Sequence, residues 1–286
     1  MVRIDVTSRA LEEHIRDEHP KWSKWADLKP LFLRLQHFKC GYCEAEIGGR
    51  PGPQKIIADP YQQDIEHYRP KGQLAAWTPP PEWGRLPIEI CDGLMSGYGW
   101  LAKNQNNFVA SCKSCNESRK KSYFPVRARL AHYASEPGPD ELKAEEPYLI
   151  FPFGFLEAMA PEEMIMFIGA DAHPHFDWDI DSLPYWRARI TIEILGLNRA
   201  DLRTPRLRHI AGLAAFLKYS SLGSASAEWD SVLRARGARS EPFSSCTQYF
   251  VQLHQQSPMV AARLGREALV ELGRADEANI LWPGES

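Results

Sequence analysis

Long apolar runs are missing from this sequence, and none approaches the roughly 18 residues that a membrane-spanning helix needs. The first 20 residues carry charged side chains throughout and lack the apolar core of a secretory signal. We therefore expect a cytoplasmic chain that has no membrane partner and keeps its six cysteines reduced. Internal repeats and low-complexity tracts are also missing. The composition, 44% hydrophobic and 25% charged, excludes a disordered or collagen-like chain.

A strong net charge is missing as well, because 34 basic and 37 acidic side chains nearly cancel. The charge is nevertheless unevenly distributed. Residues 110–130 hold six basic side chains and one acidic one, whereas residues 131–182 hold twelve acidic side chains and one basic one. A basic stretch of this kind is either a solvated helix face or a site for a polyanion. The cysteines beside it favour the polyanion site.

Three stretches of the chain differ in character, and we expect them to form three regions. Residues 1–135 have helical periodicity up to residue 39 and are turn-rich after it. Residues 136–182 are predicted to be an acidic linker or loop region, and residues 183–286 a helical region suited to binding a partner. The patterns also predict strands at 64–68, 107–110 and 148–155, a helix that Thr204 caps and Pro205 begins, and a last helix over 259–281.

Two cysteine pairs have the spacing of metal ligands: Cys40 with Cys43, and Cys112 with Cys115. Each pair predicts a knuckle whose thiolates bind one tetrahedral zinc ion at about 2.3 Å, so the four together predict a structural zinc site. The alternatives are two unrelated pairs of buried cysteines and a redox pair, which needs a thioredoxin-like context. The 68 residues between the pairs exceed the spacing of a compact zinc ribbon, so we expect a folded insert.

The remaining potential metal ligands are interpreted as structural. Cys91 and Cys246 are isolated in the sequence, and we predict that they are small core residues. His173 and His175 flank Pro174 without a third obvious ligand nearby, so this stretch is predicted to be a solvated turn.

The insert between the cysteine pairs contains Asp64-Ile65-Glu66-His67-Tyr68-Arg69-Pro70-Lys71, and the second pair lies between Asn107 and Asn116. From Cys40 to Lys121, this order of motifs resembles the HNH endonucleases, a ββα-metal (His-Me finger) family. The resemblance implies an α+β fold: a zinc-stapled ββα-metal core, with N-terminal helices before it and a mainly helical C-terminal region after it. It also implies a metal-dependent endonuclease that hydrolyses phosphodiester bonds of DNA.

The residues of the motif suit this chemistry. His67 is the predicted general base, because an imidazole titrates near neutral pH. Glu66 and Asn116 are the predicted ligands of Mg²⁺ or another divalent ion, which takes few protein oxygens and keeps its waters. Asp64 is an alternative to Glu66, and Asn116 is alternatively a helix cap. Neighbouring strand residues face opposite sides, so Glu66 and His67 can serve one phosphate only if the strand ends or bulges there.

Further residues of the motif are predicted to support the site. Asn116, Arg119 and Lys120 have the spacing that places side chains on one face of an α-helix. Arg119 is predicted to steady the phosphate, and Lys120 to add affinity for nucleic acid. By the resemblance, Asn107 braces the strand or loop that carries His67.

Several segments are similar to one branch of this family, the nuclease subunit of Septu-type and retron-associated anti-phage systems. They are Cys40–Glu44, Glu66–Lys71, Trp100–Ala102 and Thr191–Arg199. This similarity implies a role in antiviral defence beside an ABC-type ATPase subunit. The competing interpretation is a zinc-organised adaptor that binds nucleic acid or protein without catalysis. The adaptor accounts for the cysteines and the basic stretch but leaves Glu66 and His67 unexplained.

Overall fold

The computed structural model describes residues 1–48, 63–91, 96–128, 136–220 and 226–283 of the 286-residue chain. By their contacts the residues form two units. The first contains Met1–Ile165 and Pro174–Gly196, and the second contains Met166–His173 and Leu197–Ser286. The boundaries predicted at residues 135 and 182 follow charge and periodicity rather than contacts, and the roles given to those three stretches stay predictions.

The architecture is a mixture of helices and two small sheets, as the α+β prediction requires. Up to residue 196 the elements are α1 (Ser8–Glu18), α2 (Lys29–Leu35), β1 (Gln63–His67), β2 (Phe108–Cys112), a π-helix (Ser114–Lys120), α3 (Pro161–Met164), β3 (Ile165–Ile168), β4 (Asp171–Pro174) and α4 (Leu183–Leu195). Short 3₁₀ turns occur at Trp25–Leu28, Pro81–Trp83, Gly99–Lys103, Gln105–Asn107 and Glu141–Glu145. The remaining helices are α5 (Ala200–Ser220), α6 (Ser226–Arg236), α7 (Ser244–Gln256), α8 (Pro258–Glu271) and α9 (Ala275–Leu281).

The predicted N-terminal helices are confirmed. The Thr7 hydroxyl caps α1 by accepting the Ala10 N–H at 3.1 Å, and Leu11 and Ile15 bury one face of the helix. Pro30 lies in the first turn of α2, where a missing N–H costs nothing. Phe32 on α2 meets the Phe108 ring of β2 at 6.2 Å, so this helix covers the first sheet.

The first sheet is an antiparallel pair of β1 and β2, in which His67 faces Phe108 and Gln63 faces Cys112. Both strands were predicted, to within two residues at their ends. The buried amide of Gln36 takes the place of a third strand: its Oε1 accepts the Ala110 N–H at 2.8 Å, and its Nε2 donates to the Ala110 carbonyl at 2.7 Å. These bonds satisfy the outer edge of β2 inside the core.

The strand predicted at residues 148–155 is wrong, although the segment is largely buried. Its backbone makes one isolated bridge, between Phe153 and Ile4, and several of its other N–H groups bond to a loop or to side chains rather than along a ladder. Ile150 N–H donates to the Thr191 hydroxyl at 3.0 Å, and Phe151 N–H donates to the Glu157 carboxylate at 2.8 Å. The segment is therefore an irregular core strip, because side chains can satisfy a buried backbone as well as a ladder does.

Two helix boundaries predicted in the C-terminal region are wrong. Helix α5 begins at Ala200, so Pro205 lies inside it rather than at its first position. The earlier start is supported by the Arg199 carbonyl, which accepts the N–H groups of Leu202 and Arg203. The single last helix is two helices, since Gly273 adopts a φ of 75° after α8 and the Arg274 N–H bonds back to the Leu269 carbonyl.

The second unit contains a closely packed helix pair, α5 with α8. Gly265 on α8 makes this approach possible, because a Cβ at that position would lie 2.2 Å from the Ala214 Cβ. The buried Arg206 guanidinium lies 4.9 Å from the Phe167 ring centroid and donates to the Leu197 carbonyl at 2.6 Å. In the part of the chain that the structure describes, no helix has the length and apolar character to cross a membrane.

Gly265→Ala should destabilise the helical unit by about 1–3 kcal/mol, because overpacking outweighs the gain in helix propensity. Gly212→Ala on α5 is the matched control, since its new Cβ would meet only a side chain at 3.6 Å. We expect that control to be neutral or stabilising by up to about 1 kcal/mol. Urea denaturation of both variants measures the difference, and equal stability of the two would contradict the packing described here.

Candidate metal centre and active site

The four cysteines of the two pairs converge on one point. The sulfur atoms of Cys40, Cys43, Cys112 and Cys115 all lie within 4.8 Å of one another, and Cys43 and Cys112 are 3.8 Å apart. Zinc–sulfur bonds of about 2.3 Å in a tetrahedron give sulfur–sulfur edges of roughly 3.8 Å. The arrangement therefore fits a zinc ion, and burial raises the pKa of the Cys40 thiol well above its usual range.

Both knuckles are held by the first sheet. Cys112 ends β2, and Cys115 N–H donates to the Cys112 sulfur at 3.4 Å. On the other side, Gly41 N–H donates to the Ala110 carbonyl at 3.0 Å. A Cβ on Gly41 would lie 2.5 Å from a methyl carbon of Val109, so glycine lets the first knuckle close against β2.

Glu66 forms a buried ion pair with Lys120. The Lys120 ammonium, which is fully buried, donates to Glu66 Oε1 at 2.6 Å and to the His67 carbonyl at 3.1 Å. Glu66 itself is 8% exposed. Lys120 thus ties the end of the π-helix to β1, and its ammonium lies in the core, whereas the predicted contribution to nucleic-acid affinity would need an exposed charge.

The side chain of His67 is buried between aromatic rings at the end of β1. It meets Trp25 and Phe108, each with ring centroids 5.1 Å away. Its Nε2 lies 3.1 Å from the Ala102 carbonyl, so Nε2 carries the proton and Nδ1 is the acceptor nitrogen. Burial, assisted by nearby lysine charges, lowers the pKa of His67 to about 4, so the ring is neutral at pH 7 and does not titrate near neutrality as the sequence suggested.

Asn107 braces the segment after His67. Its Oδ1 accepts the Arg69 N–H at 2.8 Å, and its Nδ2 donates to the Arg69 carbonyl at 3.0 Å. The Arg69 guanidinium is buried, pairs with Glu145 and donates to the Leu142 carbonyl at 2.7 Å. The structure thus gives Asn107 the bracing contacts that the resemblance implies.

The segment that carries Asn116 and Arg119 is a π-helix, closed by the Lys121 N–H on the Asn116 carbonyl at 2.7 Å. Its wider turn does not keep the α-helical face on which Asn116, Arg119 and Lys120 were expected together. Asn116 is half-buried inside the helix, so its alternative interpretation as an N-cap is wrong. Arg119 is exposed and lies against Gly196, where an added Cβ would be 3.1 Å from its Nε.

Other residues considered from the sequence lie outside this centre. Asp64 lies on the same strand as Glu66 but forms an ion pair with Lys29, whose ammonium is 3.9 Å from its carboxylate. Cys246 is buried as predicted, whereas Cys91 is half-buried and its prediction as a core residue is wrong. His173 is exposed on β4 and does not lie in a turn.

A cavity of about 910 Å³ lies in the second unit and contains none of the predicted site residues. Its lining combines buried aromatic side chains with cationic ones: Phe250, Trp282, Lys218, Arg263 and Arg266. Sequence reasoning missed this cavity, because it is assembled from helices whose neighbours cannot be read from periodicity alone.

Comparison with known proteins finds a partial likeness. Over 126 residues the chain is 36% identical to the Septu protein PtuB of Bacillus mycoides (strain KBAB4). The match covers 44% of this chain and 34% of that protein, so the chain spans about a third of the length of this relative. No family model and no solved structure matches the chain significantly. The resemblance to Septu proteins is thus confirmed over part of the chain.

The purified protein should contain about one zinc ion per chain, because four thiolates complete one closed tetrahedral site. Cys40→Ser should lose that ion and unfold the first unit, since metal binding and folding are linked. Cys246→Ser removes an equally buried thiol outside the cluster and should keep the zinc. Elemental analysis and circular dichroism measure both effects, and a folded wild-type protein without zinc would contradict the assignment.

Lys120→Met should destabilise the first unit by about 3–5 kcal/mol, because it leaves the buried Glu66 carboxylate without its partner. Adding Glu66→Gln should recover much of this loss, since no buried charge then remains. The control is Lys113→Met, which breaks an exposed pair with Glu117 and should cost less than about 1 kcal/mol. Urea denaturation ranks the three proteins; equal costs for the two lysine variants would show that the ion pair is unimportant.

Proposed function

We propose that this chain is a metal-dependent HNH endonuclease that hydrolyses phosphodiester bonds of DNA in anti-phage defence. One observation carries the proposal: His67 and Glu66 end a strand that is paired with the strand leading into the cysteine knuckle and the helix of Asn116. This order of two strands and a helical segment supports the proposal of a ββα-metal core. A purely structural zinc module does not require a buried histidine with its Nδ1 as the acceptor nitrogen at this position.

The proposed hydrolysis begins with a water molecule held at Nδ1 of His67. This nitrogen accepts a water proton while the water oxygen attacks phosphorus, and the bond from phosphorus to the leaving sugar oxygen breaks. The leaving oxygen takes a proton from solvent. The Ala102 carbonyl favours the tautomer in which Nδ1 is the base, because it accepts the Nε2 proton across an N···O distance of 3.1 Å.

The proposed ligands of the catalytic ion are Glu66 and Asn116. Their oxygen atoms suit Mg²⁺, which takes few protein ligands and, when bound, neutralises charge on the phosphate. Lys120 engages Oε1 of Glu66, so the carboxylate would offer its other oxygen to the ion. The exposed Arg119 is proposed to bind a phosphate oxygen of the substrate, and Gly196, which lacks a Cβ, leaves room for its side chain.

The partial likeness to a Septu protein supports the defence role. The resemblance of the sequence motifs to the nuclease subunit of Septu-type systems supports an ABC-type ATPase as a partner of the whole protein. The alternative, a zinc-organised adaptor without catalysis, is favoured by one observation. The Lys120 ammonium already neutralises Glu66, as a buried structural ion pair would. The two proposals differ in whether the wild-type protein cleaves DNA in the presence of a divalent ion.

His67→Ala should lower the rate of plasmid cleavage by about 10²–10⁴-fold, the usual contribution of a positioned base. Zinc content and DNA binding should not change. His173→Ala, an exposed histidine in the same chain, is the control and should cleave like the wild type. Wild-type cleavage by a folded, zinc-loaded His67→Ala protein would remove His67 from the mechanism.

Asn116→Ala should also lose cleavage, but raising the Mg²⁺ concentration should restore part of it. A lost ligand weakens the affinity for the ion, whereas a lost base does not. A Mg²⁺ titration of both variants separates the two roles. If His67→Ala recovers at high Mg²⁺ as well as Asn116→Ala does, the assignment of base and ligand is incorrect.

A further inference from the structure

Lys71 is an exposed lysine whose backbone is rigidly placed. The preceding Pro70 carbonyl accepts the Tyr98 N–H at 2.8 Å, and Asn107 holds Arg69 from the other side. Gly97, with a φ of 75°, passes so closely that an added Cβ would lie 1.9 Å from the Gly72 carbonyl oxygen. The segment that presents Lys71 is therefore fixed on both sides, although the side chain reaches solvent.

An aromatic ring orients the Lys71 side chain. Its ammonium nitrogen lies 3.3 Å from the centroid of the Trp25 ring, and that same ring meets His67 at 5.1 Å. Tryptophan is the best aromatic partner for a cation, and it holds the ammonium without a counter-charge. A carboxylate partner would neutralise the lysine, whereas Trp25 leaves its full charge available to a ligand.

The charge of Lys71 acts on both predicted catalytic residues. The charge of Lys71 is one of the causes that lower the pKa of His67. Burial lowers the pKa of Lys71 itself, and the negative charge of Glu66 partly offsets this effect. Lys120 is also close but is fully buried and bonded to Glu66 and the His67 carbonyl. Lys71, by contrast, presents an ammonium to solvent beside the proposed base.

We propose that Lys71 binds a non-bridging oxygen of the scissile phosphate and that Trp25 is the residue that positions it. The inference rests on the proposed hydrolysis at His67, and it adds a substrate-binding residue that the sequence motif contains without revealing its role. An ammonium at this position stabilises the negative charge that develops on the phosphate oxygens during attack. Trp25 would then act only through Lys71.

Lys71→Met should lower kcat/KM for plasmid cleavage by about 10²-fold, the loss typical of removing one stabiliser of developing charge. Lys71→Arg should restore most of the activity. Lys24→Met removes a neighbouring exposed lysine next to Trp25 and should behave like the wild type. If Lys71→Met and Lys24→Met cleave equally well, the proposal is overturned.

A double-mutant cycle tests the role of Trp25. Trp25→Leu should reduce activity in the wild-type background and have little further effect when Lys71→Met is already present. Trp25→Phe, which keeps a ring, should reduce activity less than Trp25→Leu. Additive effects of Trp25→Leu and Lys71→Met would show that Trp25 acts through His67 instead, and would overturn its positioning role.

Binding separates this proposal from the proposed nuclease function. In a His67→Ala background, Lys71→Met should weaken binding to duplex DNA. The slope of log K against log salt concentration should become shallower by about 0.9, the value for one phosphate contact. Lys24→Met should leave that slope unchanged. If the wild type fails to cleave DNA, the nuclease proposal fails, and this binding slope alone supports or overturns Lys71 as a phosphate contact.

Discussion

The convergence of four thiols is the interaction on which the first unit depends. It joins two segments of the chain that 68 residues separate, and it does so where β2 ends and the π-helix begins. Closing so long a loop is costly in entropy, and a bound zinc ion would supply the free energy that offsets this cost. The first knuckle, tied to β2 through Gly41, then fixes the strand against which β1 pairs.

Two polar braces position the candidate catalytic residues on this scaffold. Lys120 bonds Glu66 and the His67 carbonyl together, which links the helix after the second knuckle to the end of β1. Asn107 closes the other side through paired bonds to Arg69. Glu66 and His67 thus keep separate environments, one ionic and one aromatic, on neighbouring positions of a single strand. This separation suits the proposed roles of Glu66 as a metal ligand and His67 as a base for the same phosphate. Neighbouring strand residues face opposite sides, so the two can act together only because the strand ends at His67.

The features that local sequence rules determine were predicted well. The cysteine spacing predicted the four-cysteine cluster, and the strands that contain Glu66 and Val109 lie within two residues of their predicted positions. The burial of Lys120 was missed because charge patterns favour exposure, and its partner Glu66 is 54 residues away in the chain. The π-helix also escaped prediction, since the i, i+3, i+4 rule for Asn116 assumes α-helical winding. The start of α5 was also mispredicted from Pro205, because the helix begins earlier, where the Arg199 carbonyl accepts the N–H groups of Leu202 and Arg203.

The most direct test of this account is anomalous diffraction from crystals of the full chain grown with Mn²⁺. Data at the zinc edge should give one peak among the sulfur atoms of Cys40, Cys43, Cys112 and Cys115. Data at the manganese edge should give a second peak beside the carboxylate of Glu66 and the amide oxygen of Asn116. The account is contradicted if no zinc lies among the four sulfurs, or if manganese binds elsewhere while Glu66 stays paired only with Lys120.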